Sequence, residues 1–379
     1  MATALNEELL AIQEEAAKFA KERLAVRPEL GTSSEFPWDL WGDMAEAGWL
    51  GLTVPRDFGG KGGGYPALAA AGEALVRHGH NLGLVLSWLL HNLVGGHLLL
   101  GFGNDEQLKL YLPRLAQGQM TGCLAISEPE TGAHPKYMRT TAAVEGTSFR
   151  LNGRKSYLTN GPIADLFVVM AVTKEAGGRK EITAFLTPRN SPGVSLTEPM
   201  KLDCLKPSPH GGLILEDVLV PAENILGRPG QAYEKIIKGF RGLEDAMMMG
   251  PLAGGLGRQI ELLTGLIAER EVSSTGELKE ALGGLRFIQD ALRILAYEAA
   301  AMIESRASHP ELESLLLAGR RLFGLFQENF QKIMDQFGLQ TKPELEVLRK
   351  DLVFAAGIGR NVSRQKQIKL GEEVLAAGP

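Results

Sequence analysis

The hydrophobic period of this chain changes twice, and that double change restricts the fold more than any single motif. Over 1–119 apolar positions recur at spacings of three and four: Leu9, Ile12, Ala16, Phe19 and Ala20 form one stripe, and a second runs through 75–88. Over 120–227 the texture becomes short β-branched runs, Phe167-Val168-Val169-Met170-Ala171-Val172, Ile182-Thr183-Ala184-Phe185-Leu186 and Leu213-Ile214-Leu215, separated by Gly, Pro and Asn. Over 228–379 the helical period returns, with breaks near Ser273-Ser274-Thr275-Gly276, Ser308-His309-Pro310 and 338–343. The pattern predicts a mainly α protein with a central β-domain. An N-terminal helical domain spans 1–119, a middle antiparallel β-barrel or sandwich 120–227, and a C-terminal antiparallel four-helix bundle 228–379. A chain of 379 residues is too long for one ordinary core, which agrees with three domains. The run Phe58-Gly59-Gly60-Lys61-Gly62-Gly63-Gly64 cannot continue a helix, because successive glycines lose too much backbone entropy, so a loop lies there.

Composition removes several classes of function. A net charge of -5 and a pI near 5.9 provide no basic field for nucleic acid. Cys123 and Cys204 are the only cysteines, too few for a disulfide framework or a zinc site, and reduced thiols of a cytoplasmic protein are the economical reading. The first 23 residues mix Glu and Lys with apolar residues and do not read as a signal peptide. The most apolar stretch, 82–100, is interrupted by Ser87, by His and Asn side chains and by Gly95-Gly96, so no membrane span is expected. His78, His80, His91 and His97 lack a clustered carboxylate or cysteine partner and read as core or surface histidines, with no metal expected. The glycine run has no following Lys-Ser/Thr and is no phosphate loop.

Residues 123–161 read CLAISEPETGAHPKYMRTTAAVEGTSFRLNGRKSYLTNG. Ser127-Glu128-Pro129 with Gly132, followed by Asn152-Gly153-Arg154-Lys155-Ser156-Tyr157-Leu158-Thr159-Asn160, resembles the middle domain of the acyl-CoA dehydrogenases. That family has a Thr/Ser-Glu-Pro turn with Gly-Ser-Asp, then an Asn-Gly-x-Lys-x-Trp-Ile-Thr-Asn strand. Here Ala133-His134 replaces Ser-Asp and Tyr157 replaces Trp. Three further segments carry the resemblance across nearly the whole chain: Gly48-Trp49-Leu50-Gly51-Leu52-Thr53-Val54-Pro55, Phe102-Gly103 with Tyr111-Leu112-Pro113, and Glu216-Asp217-Val218 through Gly227.

The resemblance implies an FAD enzyme that removes two hydrogens across the α,β bond of an acyl-CoA thioester, a carboxylate taking the α-proton while flavin N5 accepts the β-hydride. Such a proton is acidic enough only if preorganised donors polarise the thioester oxygen, and the base needs a dry pocket that raises its pKa. The family's usual base falls on Gly359 or Arg360 here, and the Glu is absent. Some relatives place the base on the first helix of the C-terminal bundle, and counting back from Gly254 puts Glu244 there. The resemblance then assigns Glu244 as base, Asp245, Met248 and Arg360 to the substrate, and Ile126, Ser127, Gly132, Tyr157, Thr159 and Arg270 to the cofactor. An electron-transfer flavoprotein is the implied redox partner.

The departures cluster on the adenosine-phosphate half of the cofactor. Ala133 lacks a hydroxyl, Arg270 survives without its aromatic and glycine neighbours, and Asp335 places negative charge where a diphosphate is expected. Several readings follow: a homotetrameric enzyme with altered FAD contacts, one chain of a heterotetramer or heterodimer, a flavin-poor paralogue that binds acyl-CoA, or a non-oxidative elimination in which Arg360 holds an acidic substrate tail.

Overall fold

The computed structural model of the protein describes residues 6–307, 309–358 and 360–377, and its elements follow the helix, strand, helix order that the periodicity predicts. Helices α1 (Glu7–Phe19), α2 (Trp38–Glu46), α3 (Tyr65–Gly79), α4 (Leu82–Leu93), the short α5 (Leu100–Phe102) and α6 (Asp105–Ala116) come first. Local chemistry sets their ends. The Asn6 side chain accepts from the Leu9 N–H at 2.8 Å, and Asn104 with Gln107 forms a reciprocal capping box on α6. The glycine-rich run folds back on the segment before it, with N–H groups of Lys61, Gly62 and Gly63 donating to the carbonyls of Gly51, Val54 and Leu52. Leu82–Phe102 is long and apolar enough to cross a membrane, but 89% of its most apolar window is buried inside the fold.

Strands β1 (Gly122–Ala125), β2 (Thr141–Glu145), β3 (Ser148–Thr159), β4 (Leu166–Ala176), β5 (Arg179–Pro188), β6 (Val194–Leu196), β7 (His210–Pro221) and β8 (Ile225–Leu226) form one sheet. The order is β6-β7-β3-β2-β4-β5-β8, with β1 beside β4. Most pairings are antiparallel, as expected, but β1 runs parallel to β4, and β2 meets β4 in parallel at Thr141–Val172. Apolar runs report burial and carry no mark of strand direction, so the mixed character is not legible in the sequence. Phe167, Val169, Ala171, Phe185, Leu213 and Leu215 fill the core of this sheet.

Helices α7 (Lys238–Glu269), α8 (Gly276–Glu304), α9 (Glu311–Gln336), α10 (Pro343–Gly357) and α11 (Arg360–Ala377) complete the described chain. The expected breaks become their connections: Thr275 caps α8 by accepting from the Leu278 N–H at 3.2 Å, and Pro343 opens α10, where a missing N–H costs nothing. The last of the four expected helical stretches divides after Gly357, where Ile358 turns extended at ψ 127°.

Internal contacts divide the described chain into two compact units, one of residues 6–31, 65–85 and 242–377, the other of 32–64 and 86–241. In the first, α1 packs on α3, α3 on α8 and α8 on α9. The backbones of α7 and α3 nearly touch: a Cβ at Gly250 would meet the Ala69 carbonyl oxygen at 2.3 Å, and one at Gly254 that of Glu73 at 2.1 Å. In the second, the Trp49 carbonyl accepts from Trp88 Nε1 at 2.8 Å and Asn92 Nδ2 at 3.1 Å. His91 ties α4 to the start of β1, its Nε2 lying 3.1 Å from the Leu115 carbonyl and its Nδ1 accepting from the Gly122 N–H at 3.3 Å.

Candidate functional site

Two side-chain constellations stand out, one in each unit. In the sheet unit the starting point is a fault in the β3–β7 ladder. Lys155 pairs with Leu213 and Leu158 with Gly211, so β3 carries one residue more than its partner between these pairs. That extra residue lets Tyr157 adopt φ +58°, a left-handed backbone that a bulky residue takes only under constraint, and leaves its ring 62% exposed. A large aromatic held out of the core on strained backbone is a candidate binding surface.

Beneath it, Lys155 and Glu128 form an ion pair at 2.9 Å, both side chains almost wholly buried. Lys155 Nζ also donates to the Ile126 carbonyl at 3.1 Å, and the Glu128 carboxylate accepts backbone N–H groups of Arg139 and Thr140 at 2.6 and 2.9 Å. Burial lowers the Lys155 ammonium to about 8 against the opposing pull of Glu128. Burial pushes Glu128 up, but Lys155 and the hydrogen bonds outweigh it and hold the carboxyl below its usual range. Tied to the Ile126 carbonyl on one side and to two backbone N–H groups on the other, the pair clamps 126–128 onto β3. The turn then closes on itself: Glu128 N–H donates to the Gly132 carbonyl at 2.9 Å and Gly132 N–H returns to Glu128 at 3.0 Å, with Gly132 at φ +60°.

The surface so held presents the donors of Ser127, and further unmet hydroxyls lie enclosed beneath it. The Ser156 N–H donates to the Ser127 carbonyl at 2.9 Å, whereas the Ser127 N–H and hydroxyl engage no other described residue. The hydroxyls of Thr131 and Ser156 are buried without a partner. Thr159 lies at the end of β3 with its hydroxyl 3.2 Å from His210 Nε2 and its carbonyl 3.3 Å from Cys123 Sγ. The Ser127 donors beside an exposed flat ring fit the planar, acceptor-rich edge of an isoalloxazine, and Thr159 lies in the same patch.

The helical unit holds the second constellation, on α7. Glu244 and Met248 are one turn apart and share a face, and both are half-buried. Asp245 accepts from Arg320 Nη2 at 2.8 Å. The same guanidinium donates to the carbonyls of Ala356 at 2.8 Å and Ile358 at 3.0 Å, so Arg320 secures the end of α10 beside the position where the base is absent. A cavity of about 30 Å³ lies alongside, lined by Asp245, Met248, Leu252, Leu292, Leu316 and Phe323; Glu244 is not among its lining residues. Arg270 follows the end of α7, exposed and without an ion pair among the described residues. At 1.5 Å per residue it lies about 39 Å from Glu244 along one helix, too far to serve the same reacting atoms. Arg360 opens α11, but its side chain lies outside the described residues.

The structure therefore gathers Ile126, Ser127, Gly132, Tyr157 and Thr159 into one patch, groups Glu244, Asp245 and Met248 on one turn, and sets Arg270 apart. Sequence reasoning missed three residues. Glu128 and Lys155 sat inside the quoted motifs without a role, and no local signal set Lys155 apart from Arg150 and Arg154 on the same strand. Arg320 had none, since its partner Asp245 is 75 residues away. Among the described residues no group of three or more His, Cys, Asp or Glu side chains is placed to hold a metal.

Comparison with known proteins places these features. The family model for the acyl-CoA dehydrogenase N-terminal domain matches residues 6–119, and that for the acyl-CoA dehydrogenase middle domain matches 123–218. The chain is 34% identical over 222 residues to the L-prolyl-[peptidyl-carrier protein] dehydrogenase of Pseudomonas fluorescens, the match covering 58% of each protein. It is 31% identical over 283 residues to the mitochondrial isovaleryl-CoA dehydrogenase of Oryza sativa subsp. japonica, covering 74% of this chain and 67% of that one. The chain thus spans little more than half the length of the first relative and two thirds of the second. A solved acyl-CoA dehydrogenase from Geobacillus kaustophilus superposes with a TM-score of 0.87 at 20% identity, over 99% of this chain and all of that one, a likeness of fold.

Proposed function

The chain belongs to the acyl-CoA dehydrogenase family, and we propose that it oxidises the α,β bond of an acyl-CoA thioester with FAD as its cofactor. The observation that carries the reading is the exposed Tyr157 ring on left-handed backbone, clamped in place by the buried Lys155–Glu128 pair beside the unengaged Ser127 donors. The flavin supplies a hydride acceptor. The chain supplies the rest: Ile126 and Ser127 offer backbone and hydroxyl groups to the ring edge, Gly132 closes the turn that presents them, Tyr157 covers a ring face, and Thr159 meets the edge with its hydroxyl.

Glu244 takes the α-proton in this proposal. Of the two adjacent carboxylates on α7, Glu244 stands where the family resemblance puts the base, while Asp245 pairs with Arg320 beside the end of α10. Met248 contributes an apolar wall that adapts to the acyl chain. Arg270, far along α7 from the base, suits a phosphate of the cofactor held by a second subunit, so the working form is an oligomer. An electron-transfer flavoprotein would be the partner that takes up the electrons. Cys123 and Cys204 are buried and form no disulfide, which agrees with a reducing compartment such as the cytoplasm.

Flavin content per chain and thioester oxidation by the purified protein test the reading together. A yellow protein that bleaches on adding an acyl-CoA is expected, and Glu244→Gln should keep the colour while turnover falls at least a thousandfold. A colourless chain that cannot be reconstituted with FAD, alone or with a co-expressed partner, would sink the dehydrogenase, and unchanged turnover in the variant would remove Glu244 from the mechanism.

A further inference from the structure

We infer that His210 is a positioning residue that fixes the direction of the Thr159 hydroxyl: the imidazole Nε2 accepts the hydroxyl's hydrogen bond, so that Thr159 can meet a cofactor only as a hydrogen-bond acceptor. The inference deepens the flavin reading and rests on it.

Donors and acceptors fix the direction. Thr159 and His210 are direct partners in the β3–β7 ladder, which puts their side chains on one face, with Oγ1 and Nε2 3.2 Å apart. The other ring nitrogen, Nδ1, lies 3.1 Å from the Ser208 carbonyl. A carbonyl oxygen only accepts, so the proton of the neutral ring sits on Nδ1. Nε2 is then a bare lone pair, and the Thr159 hydroxyl must donate to it. Burial lowers the His210 pKa below its ordinary value, which keeps the ring neutral near pH 7.

The ring is also held in place. Ser208 Oγ and Ser87 Oγ are 2.8 Å apart, Asn160 Nδ2 donates to the Ser87 carbonyl at 2.8 Å, and the Asn160 N–H donates to the Pro209 carbonyl at 2.9 Å. The loop that carries His210 is thereby tied both to α4 and to the residue after Thr159. A rotation of the imidazole that would free the Thr159 hydroxyl breaks the Ser208 contact.

A hydroxyl whose proton is committed interacts better with an N–H than with a second lone pair. The flavin ring edge carries an additional N–H only in its reduced form, so the His210–Thr159 pair favours reduction and should raise the midpoint potential of the bound cofactor. The role is electrostatic and directional, and it is separable from flavin binding.

The test compares holoprotein carrying His210→Leu with His210→Gln. Leucine frees the Thr159 proton, whereas glutamine keeps an N–H for Ser208 and an oxygen for Thr159. The expected result is full flavin occupancy in both, with the leucine variant about tenfold more oxidised at a given potential, a shift of about 30 mV to the negative for a two-electron couple, and the glutamine variant close to wild type. Equal potentials in all three proteins, or an equal shift in both variants, overturns the inference. Nitrogen-15 histidine NMR of the wild-type protein, assigned by the signal lost in His210→Gln, provides a second readout that does not depend on the leucine variant folding. An unprotonated Nε2 supports the inference and a protonated Nε2 overturns it. That measurement needs no flavin, so a colourless protein would defeat the dehydrogenase reading while leaving the hydroxyl's direction to be decided on its own.

Discussion

Tyr157 shows how one residue can carry opposed demands. A tyrosine at φ +58° is strained, and glycine is the residue that relieves it. Tyr157→Gly should therefore stabilise the flavin-free protein by about 1 kcal/mol, read as a higher denaturant midpoint, while FAD affinity falls roughly fivefold to tenfold for want of the ring. A variant that loses stability would mean that the tyrosine ring belongs to the packing and not to the site. Lys155 carries the opposite expectation. Lys155→Met leaves the Glu128 carboxylate buried and uncompensated, which should cost about 3–5 kcal/mol, and adding Glu128→Gln should recover more than half of it. If the single and double variants unfold together, the pair is not what holds the turn. Both residues lie inside motifs visible in the sequence. Their roles differ because Tyr157 lies in the irregular stretch of the ladder and Lys155 is the last paired residue before it, a distinction that depends on the register with β7.

At the scale of elements, the placement of α7 follows from how closely it can approach α3. With no side chain at Gly250 and Gly254, the α7 backbone comes within van der Waals distance of α3 carbonyls, and this fixes the turn that bears Glu244 and Met248. Gly254→Ala would set a methyl 2.1 Å from the Glu73 carbonyl oxygen. The expected loss is about 3 kcal/mol, and because the helix must slide to relieve the contact, turnover should fall more than stability predicts. Normal turnover and stability would show that the helices accommodate the methyl. Helix propensity alone would favour the alanine, so the sign of this effect separates tertiary packing from local preference. The α7–α8 and α9–α10 breaks were legible because Thr275 and Pro343 mark them chemically. The division between α10 and α11 was missed although Gly357 and Gly359 flank it in the sequence, and Arg320 on α9 secures the end of α10.

For the molecule as a whole, acid sensitivity should trace to a buried histidine. His91 is fully enclosed between α4, the Leu115 carbonyl and the start of β1, and burial lowers it to about 4. In the unfolded chain it titrates near 6.5, so on acidification the unfolded state takes up a proton the folded state refuses. Stability is complete above about pH 6.5, falls as pH drops, and by pH 4 has lost about 3 kcal/mol from this group. Denaturation followed between pH 7 and 4 should show a steeper loss for the wild type than for His91→Gln, and parallel curves would exclude His91 as the source.

By itself the amino-acid sequence determined the order of helical and strand-rich segments, the loop and helix boundaries marked by Gly, Pro, Asn and Thr, and the motifs that carry family membership. These are properties of short windows, set by side-chain periodicity and by what each residue permits its own backbone. Tertiary structure alone decided that β1 runs parallel to β4, that Lys155 meets Glu128 away from water, that Asp245 belongs to Arg320, and that His210 accepts the hydrogen bond of Thr159. Each of these depends on residues brought together from distant parts of the chain, where a hydrogen bond or an ion pair is gained only after the fold has paid no heed to sequence separation and has excluded the water that would otherwise compete for it.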